Sequence, residues 1–414
     1  MSLPPSNSPA PAAVTSGLPR LMMIVGAVLT GLGALFSFHH DGGKDLGFAW
    51  LLAFMFYLMI ALGCLFLVII HHLTDAGWSV GIRRFCEHIA ALLFPQLAIL
   101  FVPVILLAPK IYAWLHLNPA TDNTLAAKLP VFSRLGFIVT SAVFFGIWWL
   151  LSSQLKRWSL KQDQTGAVEC TRKMCFHAGW GIVALGLTMT FAGILWMSGV
   201  QYITYSAIYG VYFFGSSVWV TLATVYVLTV WLHHKRVLAG VLPPSTFYFL
   251  GVLLFAFTLF QAYAEFAQYF VVWNANMPVE TFWYIIRENG SWWWVSMVLI
   301  FGHCMLPFFV LLPAKIKSNV LVLIPLCLWV WAMHALDLAF NLLPTLHPEG
   351  FPFRWLGLQL GCLLFMGGFL AWTFLKNFNK HAPYPQRDPR LLEAMGVNFN
   401  VAGDLAGANT GGGR

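Results

Sequence analysis

Ten apolar runs follow one another along the chain, at roughly 21–38, 47–70, 85–108, 131–155, 174–196, 211–232, 247–273, 292–312, 319–341 and 355–378. A helix that crosses the hydrocarbon core needs about 20 such residues. Every run is near or above that length. The polar segments between them are short, so most successive helices are expected to be antiparallel neighbours. The pattern predicts an all-α polytopic membrane protein of about ten transmembrane helices. Met1 to Pro19 is rich in Pro, Ser and Ala and is expected to be a disordered tail. It precedes the first apolar run, unlike a signal peptide, whose cleavage site follows one. From 381 to 414 the chain turns polar and ends Gly-rich, as expected of an extended arm lying on a partner.

Composition excludes a soluble reading. Of 414 residues, 59% are hydrophobic and 9% charged, against about 25% charged in soluble domains. The net charge of +8 does not point to nucleic acid, because the basic residues sit at the ends of the apolar runs. Seventeen of the 23 Lys and Arg fall on the side of the termini, five of them in the 156–173 connection, and six fall opposite. That asymmetry predicts cytoplasmic termini. The seven cysteines form no CxxC, no CxxCH and no iron–sulfur spacing, and read as small apolar residues.

Three runs between Gly251 and Asn341 break the apolar rule in their interiors. Glu265 lies two-thirds along the first, His303 in the middle of the second, and His334 with Asp337 in the third. An Asp at mid-membrane costs at least about 2.5 kcal/mol on insertion scales, so such groups face a protein interior, a partner or water. Gln261 and Gln268 flank Glu265 at helical spacing on one face, and His334 shares a face with Asp337. A chain of carboxylates, imidazoles and amides of this kind could pass protons; a buried structural contact or contact with a quinol are the other readings. A second cluster, His71, His72, Asp75, Glu87 and His88, marks the terminal-side ends of the second and third runs. It reads either as salt bridges at headgroup level, with Arg83 and Arg84, or as the inner mouth of a proton path. The two clusters are expected in separate bundles. His303 and His334 are the only mid-membrane candidates for haem ligation; they lie on consecutive helices at different depths, which argues against it. Trp273, Trp283, Trp292, Trp293 and Trp294 surround the 274–291 connection and suit an interfacial belt or a docking surface for a peripheral protein.

The runs GVYFFGSSVWV, LLFAFTLFQAYAEFAQYFVVWNANMPVETFWY and SWWWVSMVLIFGHCMLPFFVLL, with MHALDL after them and HHLTDAGWSVGIRRFCEHIAALLFP before, resemble the NrfD/PsrC-like family of quinone-associated membrane subunits. Within it they look like the ActF-type subunits of alternative complex III, a bacterial quinol:cytochrome c oxidoreductase. The resemblance covers about residues 20–380. It implies two four-helix bundles, roughly 47–196 and 211–341, with flanking helices 21–38 and 355–378, in a bacterial inner membrane. It implies a subunit that anchors a respiratory or photosynthetic electron-transfer complex and is a candidate proton conduit. No cofactor is expected in this chain; haem c and iron–sulfur clusters would belong to partner subunits, and quinol or menaquinol would be the complex's substrate. The implied partners are a multihaem cytochrome c, a periplasmic iron–sulfur protein, a second NrfD-like subunit of the ActC type, smaller membrane subunits and lipids. The resemblance leaves room for association with a terminal oxidase. Two other classes stay open. One is the quinone-reactive anchor of a polysulfide- or nitrite-reductase-type complex. The other is a secondary transporter, with Pro95, Pro103, Pro307 and Pro325 offering helix breaks.

Overall fold

The computed structural model describes residues 14–238 and 240–395, and among these it contains helices and no strands. Ten helices are long and apolar enough to cross a membrane, and they coincide with the ten apolar runs. They are α1 (Leu18–Asp41), α2 (Lys44–Leu73), α3 (Gly77–Ile111), α4 (Arg134–Thr165), α5 (Val168–Gln201), α6 (Tyr209–His234), α7 (Pro244–Ala275), α8 (Trp292–Leu311), α9 (Val320–Thr345) and α10 (Phe353–Phe378). The face at which α1 begins and α10 ends is called the near face, and the opposite one the far face.

The helices close into two rings. In the first, α2 packs on α3 and α5, and α4 packs on α3 and α5; in the second, α6 packs on α7 and α9, and α8 packs on the same two. Helices α2 and α6 join the rings. Both are apolar on all sides and are the most buried of the ten, as expected of helices surrounded by others. Gly63 permits their approach: a Cβ there would stand 2.1 Å from Thr221 Oγ1 and 2.7 Å from the Ser217 carbonyl oxygen. Helix α1 lies along α10 outside the rings, again through small residues; a Cβ on Gly26 would meet the Phe365 backbone nitrogen at 2.2 Å. The outer side of α1, with Leu21, Ile24, Val28, Leu32 and Leu35, is bare.

Two of the interrupted spans break beside a proline. In α3 the helix tightens over Ala91–Leu93 and opens at Phe94 (φ −142°, ψ 134°) before restarting at Gln96. The residue before a proline is driven out of the helical region, and Pro95 supplies no N–H. In α8 the helix widens to a π-turn over Leu299–Met305. The ring of Pro307 would otherwise collide with the carbonyl of residue 303, four positions earlier.

Several expectations for the connections change. The 156–173 loop is a helix for most of its length: α4 runs to Thr165 and α5 starts at Val168, leaving Gly166 and Ala167 between them. The 274–291 connection contains a helix, Pro278–Arg287. Trp292 belongs to no interfacial belt, because it is buried and donates to the His347 carbonyl at 2.7 Å; Trp293 and Trp294 are exposed. Of the expected disordered tail, residues 1–13 lie outside the described residues. Val14 is buried and exchanges two hydrogen bonds with the Asn379 side chain, at 3.0 and 2.9 Å. Of the expected arm, 396–414 lie outside the described residues, while the segment up to 395 folds onto this chain's own near face.

His347 holds the turn after α9. Its Nε2 lies 2.7 Å from Asp45 Oδ1 at the start of α2, and its Nδ1 lies 3.3 Å from Glu349. The hydrogen bond to Asp45 raises the His347 pKa above its usual value, against the opposing effect of burial. A raised folded value means that the clamp is fully present below the unfolded pKa of about 6.5 and is lost as pH rises through the folded value. Amide exchange over 343–353, corrected for intrinsic rate, should therefore be better protected at about pH 6 than at about pH 9. The His347→Gln variant should lose that difference; a difference that survives in it would assign the effect elsewhere.

Candidate functional site

Three helices of the second ring bring Glu265, His303 and Asp337 to one point. Their ligand atoms all lie within 4.8 Å of one another. His303 Nδ1 is 3.1 Å from Glu265 Oε1, with the imidazole 2% exposed and the carboxylate 30% exposed. Gln261, one turn before Glu265, donates from Nε2 to Glu265 Oε1 at 3.0 Å. Asp337 is fixed from α6 and from its own helix: Tyr212 donates its hydroxyl to Oδ2, and Asn341 donates from Nδ2 to Oδ1 at 3.2 Å and to the Tyr212 hydroxyl at 2.8 Å.

Local sequence explains this convergence. The π-turn of α8 rotates His303 toward the ring interior, where its imidazole lies 4.2 Å from the Trp219 ring, centre to centre. Trp219 is held in turn by its Nε1 donating to Thr258 Oγ1 at 2.9 Å. The widened turn frees the Gly302 carbonyl, which accepts from Trp329 Nε1 at 2.8 Å. Gly302 lets α8 and α9 meet there, since a Cβ would stand 2.9 Å from Met333 Sδ. Glu265 is about 15 Å along α7 from its far-face end, and His303 is about as far into α8, taking 1.5 Å per residue. The two are level, rather than staggered with His303 deeper.

His334 faces α6 as Asp337 does, but meets a different partner. Its Nδ1 lies 3.1 Å from Ser216 Oγ, and its ring lies against Phe56 at 5.3 Å. Among the described residues, His303 Nε2 and His334 Nε2 are both buried without a hydrogen-bond partner. Gln268 continues toward the far face, accepting from Ser206 in the loop before α6. Polar groups thus run from Ser206 and Gln268, past Glu265 and His303, to Asp337, with His334 and Ser216 next to it. Such a set can hold one or more protons over alternative carboxylate, imidazole and phenol positions. Glu265, His303 and Asp337 could in principle offer ligands to a cation, but both Asp337 oxygens already serve Tyr212 and Asn341.

The second candidate cluster lies in the first ring, and no hydrogen bond among the described residues links it to the first. His71, His72, Arg83, Arg84, Glu87 and His88 are buried rather than spread at a headgroup surface, and Asp75 alone is exposed. Arg83 reaches Glu87 at 3.0 Å, Asp388, His71 Nε2 at 3.1 Å and Ser159 at 3.3 Å. Arg84 pairs with Asp163 and approaches Glu87 at 3.4 Å. Asp388 and Arg390 come from the folded-back arm; Arg390 binds Asp388 at 3.0 Å and Asp75 at 2.9 Å. Burial pushes the Asp388 carboxyl up, but Arg83 and Arg390 outweigh it and hold it at about 2. His88 faces Lys156 at 3.1 Å, and among the described residues His72 has no hydrogen-bond partner on either ring nitrogen. The arrangement is a closed ionic lock over the near end of the first ring.

The sequence drew no attention to Tyr212, Ser216 or Asn341, because hydroxyl and amide side chains are ordinary in membrane helices. Arg287 is one of the six Lys and Arg counted opposite the termini. It is buried, donates to the carbonyls of Phe340 at 2.8 Å and Asn341 at 2.9 Å, and so caps the helix that carries Asp337. Its position near the end of a segment with a strong apolar face was the available signal. Set against models of known protein families the chain gives no match, and a search among curated proteins gives none either.

Proposed function

We propose that this chain is an integral membrane subunit of a quinol-oxidising electron-transfer complex, of the quinol:cytochrome c oxidoreductase kind, in which it anchors the redox subunits and carries protons. The observation that supports the proton role is the buried meeting of Glu265, His303 and Asp337 on three separate helices. Buried ionisable groups are costly inside a membrane, and they recur on proton and ion pathways. In this reading Glu265, the most open of the three, exchanges protons with Gln268 and the far face. His303 passes them inward, and Asp337 holds them against Tyr212. The assignment to a quinol-oxidising complex rests on the sequence resemblance.

Isolation of the chain from its native membrane in mild detergent tests the partnership. Co-elution of a haem-staining multihaem cytochrome c, an iron–sulfur protein and a second membrane subunit of the same architecture is the expected result. Co-elution with a molybdopterin subunit would move the assignment to a polysulfide- or nitrite-reductase-type complex. A chain that elutes alone, stays folded and catalyses uptake by itself would overturn the subunit reading in favour of a transporter.

A further inference from the structure

We infer that the groove between α3 and α4 at the near face is a binding site for an anionic phospholipid. The groove has a volume of about 500 Å³. Its two ends differ in chemistry. Toward the membrane interior it is walled by Phe94 and Trp149, whose rings lie 5.8 Å apart and are 44% and 50% exposed. Toward the near face it is walled by Lys156, Arg157 and Lys161. The lining positions 149, 153, 156, 157 and 161 recur at helical spacing, so one stripe of α4 carries the whole gradient. Trp149 and Lys156 are about 10 Å apart along the helix. That distance matches an amphiphile with acyl chains against the aromatics and a phosphate among the cations.

The break in α3 opens the site. The extended residue before Pro95 is Phe94, which stands at the groove wall. The charge at the basic end is uncompensated. Among the described residues, none of the three cations lies within 4.0 Å of a carboxylate; Lys156 faces His88 at 3.1 Å, and Lys161 lies over the Trp158 ring at 4.8 Å. Glu87 is near Lys156, but Arg83 and Arg84 engage it, and Lys380 adds a further positive charge within range. A basic pocket between membrane helices, flanked by aromatics at acyl depth, suits an anionic headgroup over a zwitterionic one. The inference stands apart from the quinol reading, since it uses none of the second-ring residues.

The test uses the full chain with whatever subunits remain bound. After delipidation it is exchanged into nanodiscs of phosphatidylcholine containing phosphatidylglycerol or diphosphatidylglycerol, and the retained lipid is measured by native mass spectrometry. Wild type should retain the anionic lipid, and Lys156→Gln/Arg157→Gln/Lys161→Gln should retain at least tenfold less, while Arg172→Gln/Lys173→Gln on α5 should not differ from wild type. Equal retention by the triple variant would overturn the site. A diazirine-bearing phosphatidylglycerol, used on wild type, gives a reading independent of variant folding. Cross-links within 91–94 or 149–161 are expected, and cross-links confined to other segments would overturn the proposal. Loss of a partner subunit in the triple variant without loss of lipid would assign the groove to that subunit instead, and would likewise overturn it.

Discussion

If the proposed proton role holds, Glu265→Gln in the assembled complex is expected to slow proton transfer coupled to quinol turnover by about a hundredfold, the lower end of what a positioned acid–base group contributes. The substitution preserves shape and leaves an amide oxygen to accept from Gln261, so the chain should remain folded. What it removes is the ability to take up a proton beside His303. Asp337→Asn should act similarly, because Tyr212 keeps an acceptor while the exchangeable carboxylate is gone. Tyr212→Phe should slow transfer by only a few-fold, since Asn341 still holds Asp337. The readouts are proton release and turnover in proteoliposomes, measured across pH and set beside the thermal midpoint of each variant. If both carboxylate variants kept wild-type turnover and proton-to-electron stoichiometry, the proton reading would fail. A drop in thermal midpoint with unchanged pH dependence would return these residues to a structural role.

Removal of Arg83 is expected to have the largest effect on stability. Arg83→Ala leaves Glu87 with only Arg84 at 3.4 Å, Asp388 with only Arg390, and His71 Nε2 with no partner. Breaking a buried ion pair from one side costs about 3–5 kcal/mol. That is a large part of the roughly 5–15 kcal/mol by which a folded domain is stable. Arg83→Lys keeps the charge but cannot span three partners, and should fall between wild type and Ala. Unfolding in mixed micelles, followed by tryptophan fluorescence, gives the ranking. Limited proteolysis gives the location, with cleavage after Arg387 or Arg390 appearing first in the Ala variant. Equal resistance in all three would show that the arm is held by something other than this network.

The second-ring site was half legible. Glu265, His303 and Asp337 stand out because an ionisable residue within an apolar run violates the pattern around it. Their hydrogen-bonding shell did not stand out, because Tyr212, Ser216 and Asn341 conform to it. The near-face cluster was legible as residue types and as partners for Arg83 and Arg84, but its burial was not legible. His71, Glu87 and His88 sit where headgroups would be expected, and only the return of Asp388, more than 300 positions beyond Arg83, turns the region into an interior.

Ten membrane-length helices, their order and the places where charge enters them follow from the chain alone, because length, hydropathy and the cost of burying charge in a bilayer are local properties of a segment. Helix ends were less legible. Continuation of α4 through Lys156, Arg157 and Lys161 has no hydropathic signal, since a helix that leaves the membrane is no longer apolar. The tertiary structure alone decided which polar groups meet. The π-turn before Pro307 sets the rotation of His303, Gly302 and Gly63 set how closely helices approach, and the folded-back arm supplies the missing counter-charge. Each of these depends on the angle or separation of elements distant in sequence, and a one-dimensional pattern carries neither.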